Sequence, residues 1–467
     1  MPVLVDPSDA SRPYDLSPIS AHALKQTIAA HQAFLARRPG GRRASLKFRD
    51  LSGFDLTGCQ LAEADLSGAS LRESRLIRTN LRGANLFGAD LTQADLSEAI
   101  LADADMRGVA MRDAILVRTD LSRVDLREGM LMATCAGDIR NTQSEPDMTM
   151  NKAQMVEAKL ERARLSGCLL MHADLRNSDL TRAILVRANL AKSDLRGCNM
   201  RGADLTGTNL AGASMEGAVL TGATICSTNF EGANLVGALI DKANLANSSI
   251  RRSAGIRDLG DLNTSLAQIL SGHAAWTQSG GRTGRRADLG GVDLSGADLR
   301  NVDLGAAIMQ GAILRGANLS GALLAMADLS LVDAREANLA NADLRGAKLE
   351  RATLSRATLA EIRAKPLIIA GGHRCRTDWS SARLDHTCLL QADLSMGLLT
   401  QANLSHADVR GSNMSGASLC GADLTGVDLR TVTLDGADLT EAIGMKLSLL
   451  AITSGSGVAL DGTPFGP

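Results

Sequence analysis

Two short pairs in this 467-residue chain have the residue types of a metal site: His373-x-Cys375 and His386-x-Cys388. Two imidazoles and two thiolates would suit tetrahedral zinc. The HxC spacing is not a common ligand hairpin, and no metal or cofactor is expected. Two further histidines occupy equivalent places in Leu24-x6-His31-x2-Phe34 and Leu266-x6-His273-x2-Trp276. Acid–base or metal chemistry would need a partner carboxylate or further ligands at workable spacing, and neither is evident. Each histidine is expected on a helix face packed against the first coil of a repeat. The pairs Arg42-Arg43 and Arg285-Arg286 could grip phosphates or an acidic surface. Positive charge after a helix C-terminus is also favourable without any ligand. Between Leu384 and Ala442 the carboxylates, Asp423, Asp428, Asp435 and Asp438 among them, are opposed only by Arg410 and Arg430. No phosphate-binding loop, nucleophile elbow or zinc-protease motif is present. No catalytic residue is assigned, and the chain is expected not to be an enzyme.

What must position these residues is a five-residue ladder. Leucine, or Met, Ile, Val or Phe in its place, recurs at every fifth position in four runs, with Ala334 the exception. The runs span 46–131, 155–250, 289–359 and 384–439. Five fits neither the helical nor the strand period. On a helix the leucines would spiral round every face. The unit is plain in Ala84-Asn85-Leu86-Phe87-Gly88 and Ala203-Asp204-Leu205-Thr206-Gly207. A small residue and a leucine two apart point the same way on extended backbone, with Asp or Asn between them pointing out. The next two residues suit a turn, where glycine tolerates unusual angles. Four such sides would close a coil, and stacked coils would bury a leucine column.

This repeat resembles that of the pentapeptide repeat family, A(D/N)LXX. The resemblance implies an all-β fold, a right-handed quadrilateral β-helix. As a statement about function it is weak, because the pattern describes a core. Quinolone-resistance members of that family are thought to act as DNA mimics that bind gyrase. The acidic last run would be the counterpart here, but the arginine-rich other runs and the internal duplication depart from that pattern.

The duplication is legible in the two histidine segments. Each leads through a glycine-containing link into the ladder, at Gly41-Arg42-Arg43-Ala44-Ser45-Leu46 and at Gly284-Arg285-Arg286-Ala287-Asp288-Leu289. Both read as helical lead-ins. The first has Leu24, Ile28, His31 and Leu35 at helical spacing after Ser20, a candidate N-cap, and stops at Pro39-Gly40-Gly41. The second carries Leu259, Leu262, Leu266, Ile269, Leu270 and His273, and stops at Gly280-Gly281. The expected organisation is an arm and helical cap (1–45), run 1 (46–131), a loop (132–154), run 2 (155–250), a second helical lead-in (251–288), run 3 (289–359), an interruption (360–383), an acidic run 4 (384–442) and a tail (443–467). Two solenoid lobes are expected rather than one rod.

Charges balance, with 50 basic and 51 acidic residues, so the chain is not globally a polyanion or polycation. Direct nucleic-acid binding is not expected. The start, Met1-Pro2-Val3-Leu4-Val5-Asp6, does not read as a signal peptide, and no apolar stretch is long enough to span a membrane. Three of the eight cysteines, Cys59, Cys168 and Cys198, fall at the small inward position, which argues for reduced thiols and a cytoplasmic protein. The expected function is a non-enzymatic scaffold that binds a protein partner through its faces. The alternative is a DNA-mimicking modulator of gyrase or of another DNA-binding protein.

Overall fold

The computed structural model describes residues 16–128, 150–241, 244, 250, 255–257, 262 and 264–444. The chain forms two compact units, Met1–Asn234 with Leu239–Ser253, and Leu235–Ala238 with Ala254–Pro467. In both, isolated parallel bridges join each outward residue to its equivalent four ladder units on, as in Asp65↔Asn85↔Asp105↔Asp125 and Asp298↔Asn318↔Asn338↔Thr358. Each coil is therefore four units, with one residue per side paired to the coils before and after. The ladder leucines are almost wholly buried, as Leu46, Leu86, Leu205 and Leu304 illustrate. Each contributes about 1.5–3 kcal/mol of apolar burial.

The unit leaves none of its backbone donors without a place. In the unit around Leu66, the Leu66 N–H donates to Asn85 O in the next coil at 2.7 Å, and the Asp65 N–H to Ala44 O in the previous one at 3.0 Å. The Gly68 N–H reaches Phe87 O at 2.9 Å, and the Ala69 N–H closes the corner on Leu66 O at 3.0 Å. The fifth donor, on Ser67, goes to the Asp65 side chain at 3.2 Å. The outward Asp or Asn thus satisfies the one N–H that neither neighbouring coil nor corner can take. At most inward positions held by Ser or Thr the hydroxyl donates to a leucine carbonyl, as Thr79 does to Leu56 O at 2.8 Å; Ser412, buried with no partner for its hydroxyl among the described residues, is an exception. Many corner residues at positive φ are not glycine: Arg182, Arg187 and Lys192 stand at +56°, +58° and +58°. Stacking on both sides overrides local backbone preference there.

In the first unit, strand β1 (Ser17–Pro18) pairs in parallel with β2 (Arg49–Asp50) on the first coil. Helix α1 (Ala21–Leu35) comes next, and its cap is Ser20, which accepts from the Ala23 N–H. An exposed strand edge is thereby covered. In the second unit, helix α2 (Leu266–Gln278) lays Leu266, Ile269 and Leu270 on the core that begins at Ala287 and Leu289. It starts later than its apolar spacing suggests. Ser265 and Gln268 close a reciprocal capping box, which fixes the first turn there and leaves Leu262 outside the helix. Leu259 lies outside the described residues.

Three boundaries differ from the sequence reading. Residues 150–154 are coil and not loop. Met150 is buried, the Met150 N–H bonds Leu169 O, and Ile115 bridges directly to Gln154. The chain leaves after Leu126 and rejoins in the place of the next unit, which accounts for the shifted phase. Leu131 and 132–149 lie outside the described residues. The interruption at 360–383 is also narrower. Ala364 and Trp379, both fully buried, hold ladder positions, and Lys348 bridges to Asp378. Only a short excursion leaves the coil, an antiparallel hairpin of β3 (Leu367–Ile368) and β4 (Arg374–Cys375). Finally, the last bridge of run 2 among the described residues joins Val219 to Leu239, short of Ile250.

Candidate functional site

The two helix-face histidines are pins between helix and coil. His31 is fully buried, its Nδ1 accepting the Ala44 N–H at 3.1 Å and its Nε2 lying 2.9 Å from Ala62 O. These contacts require the neutral ring protonated on Nε2, which donates to the Ala62 carbonyl. Phe34 stacks on it with centroids 5.8 Å apart. His273 repeats the pattern: the Ala287 N–H donates to Nδ1 at 3.0 Å, and Trp276 stacks at 5.5 Å. Its Nε2 is buried and makes no well-formed hydrogen bond among the described residues, the Gly305 carbonyl being the backbone group that bears on the ring. Burial pushes the pKa of both rings below the ordinary value.

The arginine pairs divide their roles. The Arg43 Nε–H donates to Glu63 O and the Arg286 Nε–H to Ala306 O, so the second arginine of each pair ties its helical segment to the next coil. The Arg42 and Arg285 backbone N–H groups donate to Ala30 O and Gly272 O, both at 3.0 Å, while their side chains are exposed.

The acidic residues of run 4 are largely structural. The carboxylates of Asp423, Asp428 and Asp438 accept from the backbone N–H groups of Thr425, Arg430 and Thr440 at 2.9–3.1 Å. The Arg430 guanidinium forks onto Asp428 with contacts of 2.9 and 2.6 Å and holds its pKa at about 2. Arg410 forks onto Asp408 likewise and lowers its pKa. Asp435 stands on a corner and is exposed. Among the described residues, carboxylates of this run stand twenty residues apart only at Asp408 and Asp428, which are near enough to repel, and both carry arginine forks. The fork recurs as Asp-x-Arg elsewhere, at Asp105/Arg107, Asp174/Arg176 and Asp343/Arg345. The motif was in the sequence, where Asp followed two residues on by Arg recurs at the ladder, and charge counting alone passes over it.

The histidine–cysteine pairs do not converge. Among the described residues no three His, Cys, Asp or Glu side chains are placed to hold one metal ion. His386 stacks instead on His406 in the next coil, with centroids 5.1 Å apart. Cys168 and Cys198 are free thiols whose burial pushes their pKa to about 12. Neither would be a nucleophile at neutral pH. Among the described residues no helix is long and apolar enough to cross a membrane.

The family model described as pentapeptide repeats matches at 42–76, 55–93, 89–127, 150–185, 183–222, 220–253, 285–321, 327–362 and 398–436. No curated protein matches the chain. Among solved structures, a trypsin-treated form of QnrB1, a plasmid-mediated fluoroquinolone resistance protein, is 21% identical. It covers 38% of this chain and 81% of its own, with a TM-score of 0.22. HetL, a pentapeptide repeat protein involved in heterocyst differentiation regulation in the cyanobacterium Nostoc, is 22% identical over 91% of this chain and 99% of its own, with a TM-score of 0.16. A pentapeptide repeat protein of the Arabidopsis thaliana thylakoid lumen is 19% identical over 42% of this chain and 70% of its own, with a TM-score of 0.11. The family model spans more than half of the chain and carries the assignment without these scores. The chain belongs to the pentapeptide repeat family, and its fold is that family's right-handed β-helix solenoid.

Proposed function

We propose that this protein is a rigid, non-enzymatic scaffold of two duplicated quadrilateral halves, acting in the cytoplasm by holding a protein partner on its faces. The observation that carries this reading is the register of the bridges, which sets outward side chains in straight rows on both units. Rows of that kind offer a wide surface that needs no ordering on binding. The groups with the types for chemistry, His31, His273, Cys168 and Cys198, are committed to packing. Specificity falls to the places where the ladder is broken. These are the exposed Arg42 and Arg285 after the two helices and the hairpin, whose Ile368 is 66% exposed. Free thiols at the described cysteines support a reducing compartment.

Affinity purification of the tagged full chain from native lysate should return one reproducible partner, lost in a variant without residues 367–375 or with Arg42 and Arg285 changed to glutamate. Recovery unchanged in both variants would move the contact elsewhere, and no reproducible partner would sink the scaffold reading. The DNA-mimic alternative has less support, since the last run's two aligned carboxylates carry arginine forks. A gyrase supercoiling assay at micromolar protein tests it directly.

A further inference from the structure

One stretch of the second unit is basic throughout. Between Glu361 and Asp378 the chain carries Arg363, Lys365, His373, Arg374 and Arg376 and no acid. The β3–β4 hairpin lies inside this stretch. Its tip, Leu367-Ile368-Ile369-Ala370-Gly371-Gly372, has no side chain that donates or accepts a hydrogen bond. Ile368 and Ile369 are 66% and 41% exposed, and Ala370, Gly371 and Gly372 are exposed as well. Gly371 and Gly372 turn the chain at φ +84° and +78°. The backbone of the tip is paired within the hairpin. Leu367 and Ile368 face Cys375 and Arg374 in antiparallel register. The Ile369 N–H donates to His373 O at 3.0 Å, and the Gly372 N–H to Ile369 O at 3.1 Å. A tip paired in this way loses less on leaving water than an open loop does.

The bases flank this apolar tip. Arg363 meets Asp343 at 3.5 Å, and the Arg376 guanidinium is committed to the coil, donating to the carbonyls of Met396, Gly397 and Gly416. Lys365, before β3, and Arg374, in β4, are exposed, and neither pairs with a carboxylate among the described residues. Asp378, the first acid after the hairpin, is back in the coil, bridged to Lys348. Apolar surface continues below the hairpin. A Cβ on Gly346 would lie 2.8 Å from Met326 Sδ and 3.2 Å from Cys375 Cβ, so Met326 and the hairpin close up across that glycine. Leu323 stands on the side that leads to Met326, and both are exposed. Four of the nine large apolar side chains exposed among the described residues, Leu323, Met326, Ile368 and Ile369, therefore gather at and beside one corner. Such a gathering marks an interaction surface where scattered residues would not.

We infer that the hairpin seats the second unit on an anionic lipid surface, with Ile368 and Ile369 entering the boundary between headgroups and acyl chains and Lys365 and Arg374 meeting the headgroups. A projecting tip of aliphatic side chains has no polar group with which to select a protein, whereas a fluid apolar layer needs no matching shape. Long basic side chains beside such a tip keep their charge at the headgroups while their stems follow the apolar residues inward. Among the described residues no helix is long and apolar enough to cross the bilayer, so the contact is with its surface. The inference goes beyond the scaffold reading and does not rest on a protein partner, since it needs only the chain and lipid.

Flotation of the purified full chain with vesicles tests this. The chain floats with vesicles made of equal parts phosphatidylcholine and phosphatidylserine, and not with phosphatidylcholine alone. I368D/I369D weakens that binding at least about tenfold by removing the inserted surface, and K365E/R374E does so by a similar factor by reversing the flanking charge. In I368W the emission of the added tryptophan shifts to the blue with the mixed vesicles, which adhesion by charge alone would not give. Unchanged thermal melts check that these substitutions, all at exposed positions, leave the fold intact. A wild-type chain that does not float with the mixed vesicles overturns the proposal, as does equal binding to both kinds of vesicle. If I368D/I369D leaves flotation unchanged and abolishes capture of a protein from lysate, the hairpin is a protein contact and the proposal is wrong.

Discussion

Helices α1 and α2 carry the same motif and make the same first contact, yet they are not equally finished. In both, a helix-face histidine takes a backbone N–H on Nδ1, from Ala44 in one and Ala287 in the other. In the first, Nε2 reaches Ala62 O at 2.9 Å; in the second, Nε2 is buried and makes no well-formed hydrogen bond among the described residues, with the Gly305 carbonyl bearing on the ring. The helix ends reverse the order, since Ser20 caps α1 alone while Ser265 and Gln268 form a full box on α2. The motif specifies the near contact because helix and link travel together in sequence. The far contact depends on how closely the next coil brings its carbonyl, Ala62 O in the first and Gly305 O in the second, and that distance is set outside the motif.

The largest expected difference comes from removing the pin. H31A leaves the Ala44 N–H and the Ala62 carbonyl buried and unpaired beside a cavity, and costs about 3–5 kcal/mol. H273A strands the Ala287 N–H beside a similar cavity and costs somewhat less, about 2–4 kcal/mol, because its Nε2 has no well-formed bond to lose. Hydrogen exchange of α1 and α2 amides measures both, and equal losses would mean that the Nε2 contact contributes nothing.

Acidification comes next. Both rings are held neutral with pKa values below 6.5, so the unfolded chain binds a proton more readily than the folded one. Their contribution to stability is complete above pH 6.5 and is lost as pH falls through the lowered folded values. Hydrogen-exchange protection of both helices should therefore fall on going below pH 6.5, and a pH-independent H31Q variant would confirm the ring as the source. Protection that rises on acidification would contradict the neutral tautomer.

The caps give a smaller and opposite asymmetry. S20A should cost about 1 kcal/mol in α1, while S265A costs somewhat more in α2 because it breaks both halves of the box. Circular dichroism melts of the two variants compare them. A control on the coils is R187G, which relieves a non-glycine residue at φ +58°. It should stabilise the first unit by about 1 kcal/mol, and a melting temperature that drops would show that the arginine stem contributes more than the strain costs.

Much of this architecture is legible in the sequence because the repeat is local. Inward Leu and Ala, the corner, and the helix start at Ser20 each depend on a few neighbouring residues. Trp379 escapes such a reading because a bulky ring in a column of leucines looks like an interruption. Met150 escapes it because Asn141-Thr142-Gln143-Ser144 before it looks like open loop. Of the candidate site residues, Arg43 and Arg286 hold helix to coil, and Asp423, Asp428 and Asp438 satisfy backbone donors. Their types suggest ligands, while their positions in the unit, readable in principle from the Asp-Leu-x spacing, give the structural role.

The sequence by itself determined the five-residue unit, its inward and outward sides, and the two lead-in helices, because each arises from contacts within a few residues or from a strict period. Only the tertiary structure decided which coils are adjacent across the breaks at 129–149 and 366–375. It alone decided which arginines find a carboxylate one coil away, and which nitrogen of each histidine is satisfied. Those outcomes depend on stacking between residues far apart in the chain, where a single insertion changes every neighbour.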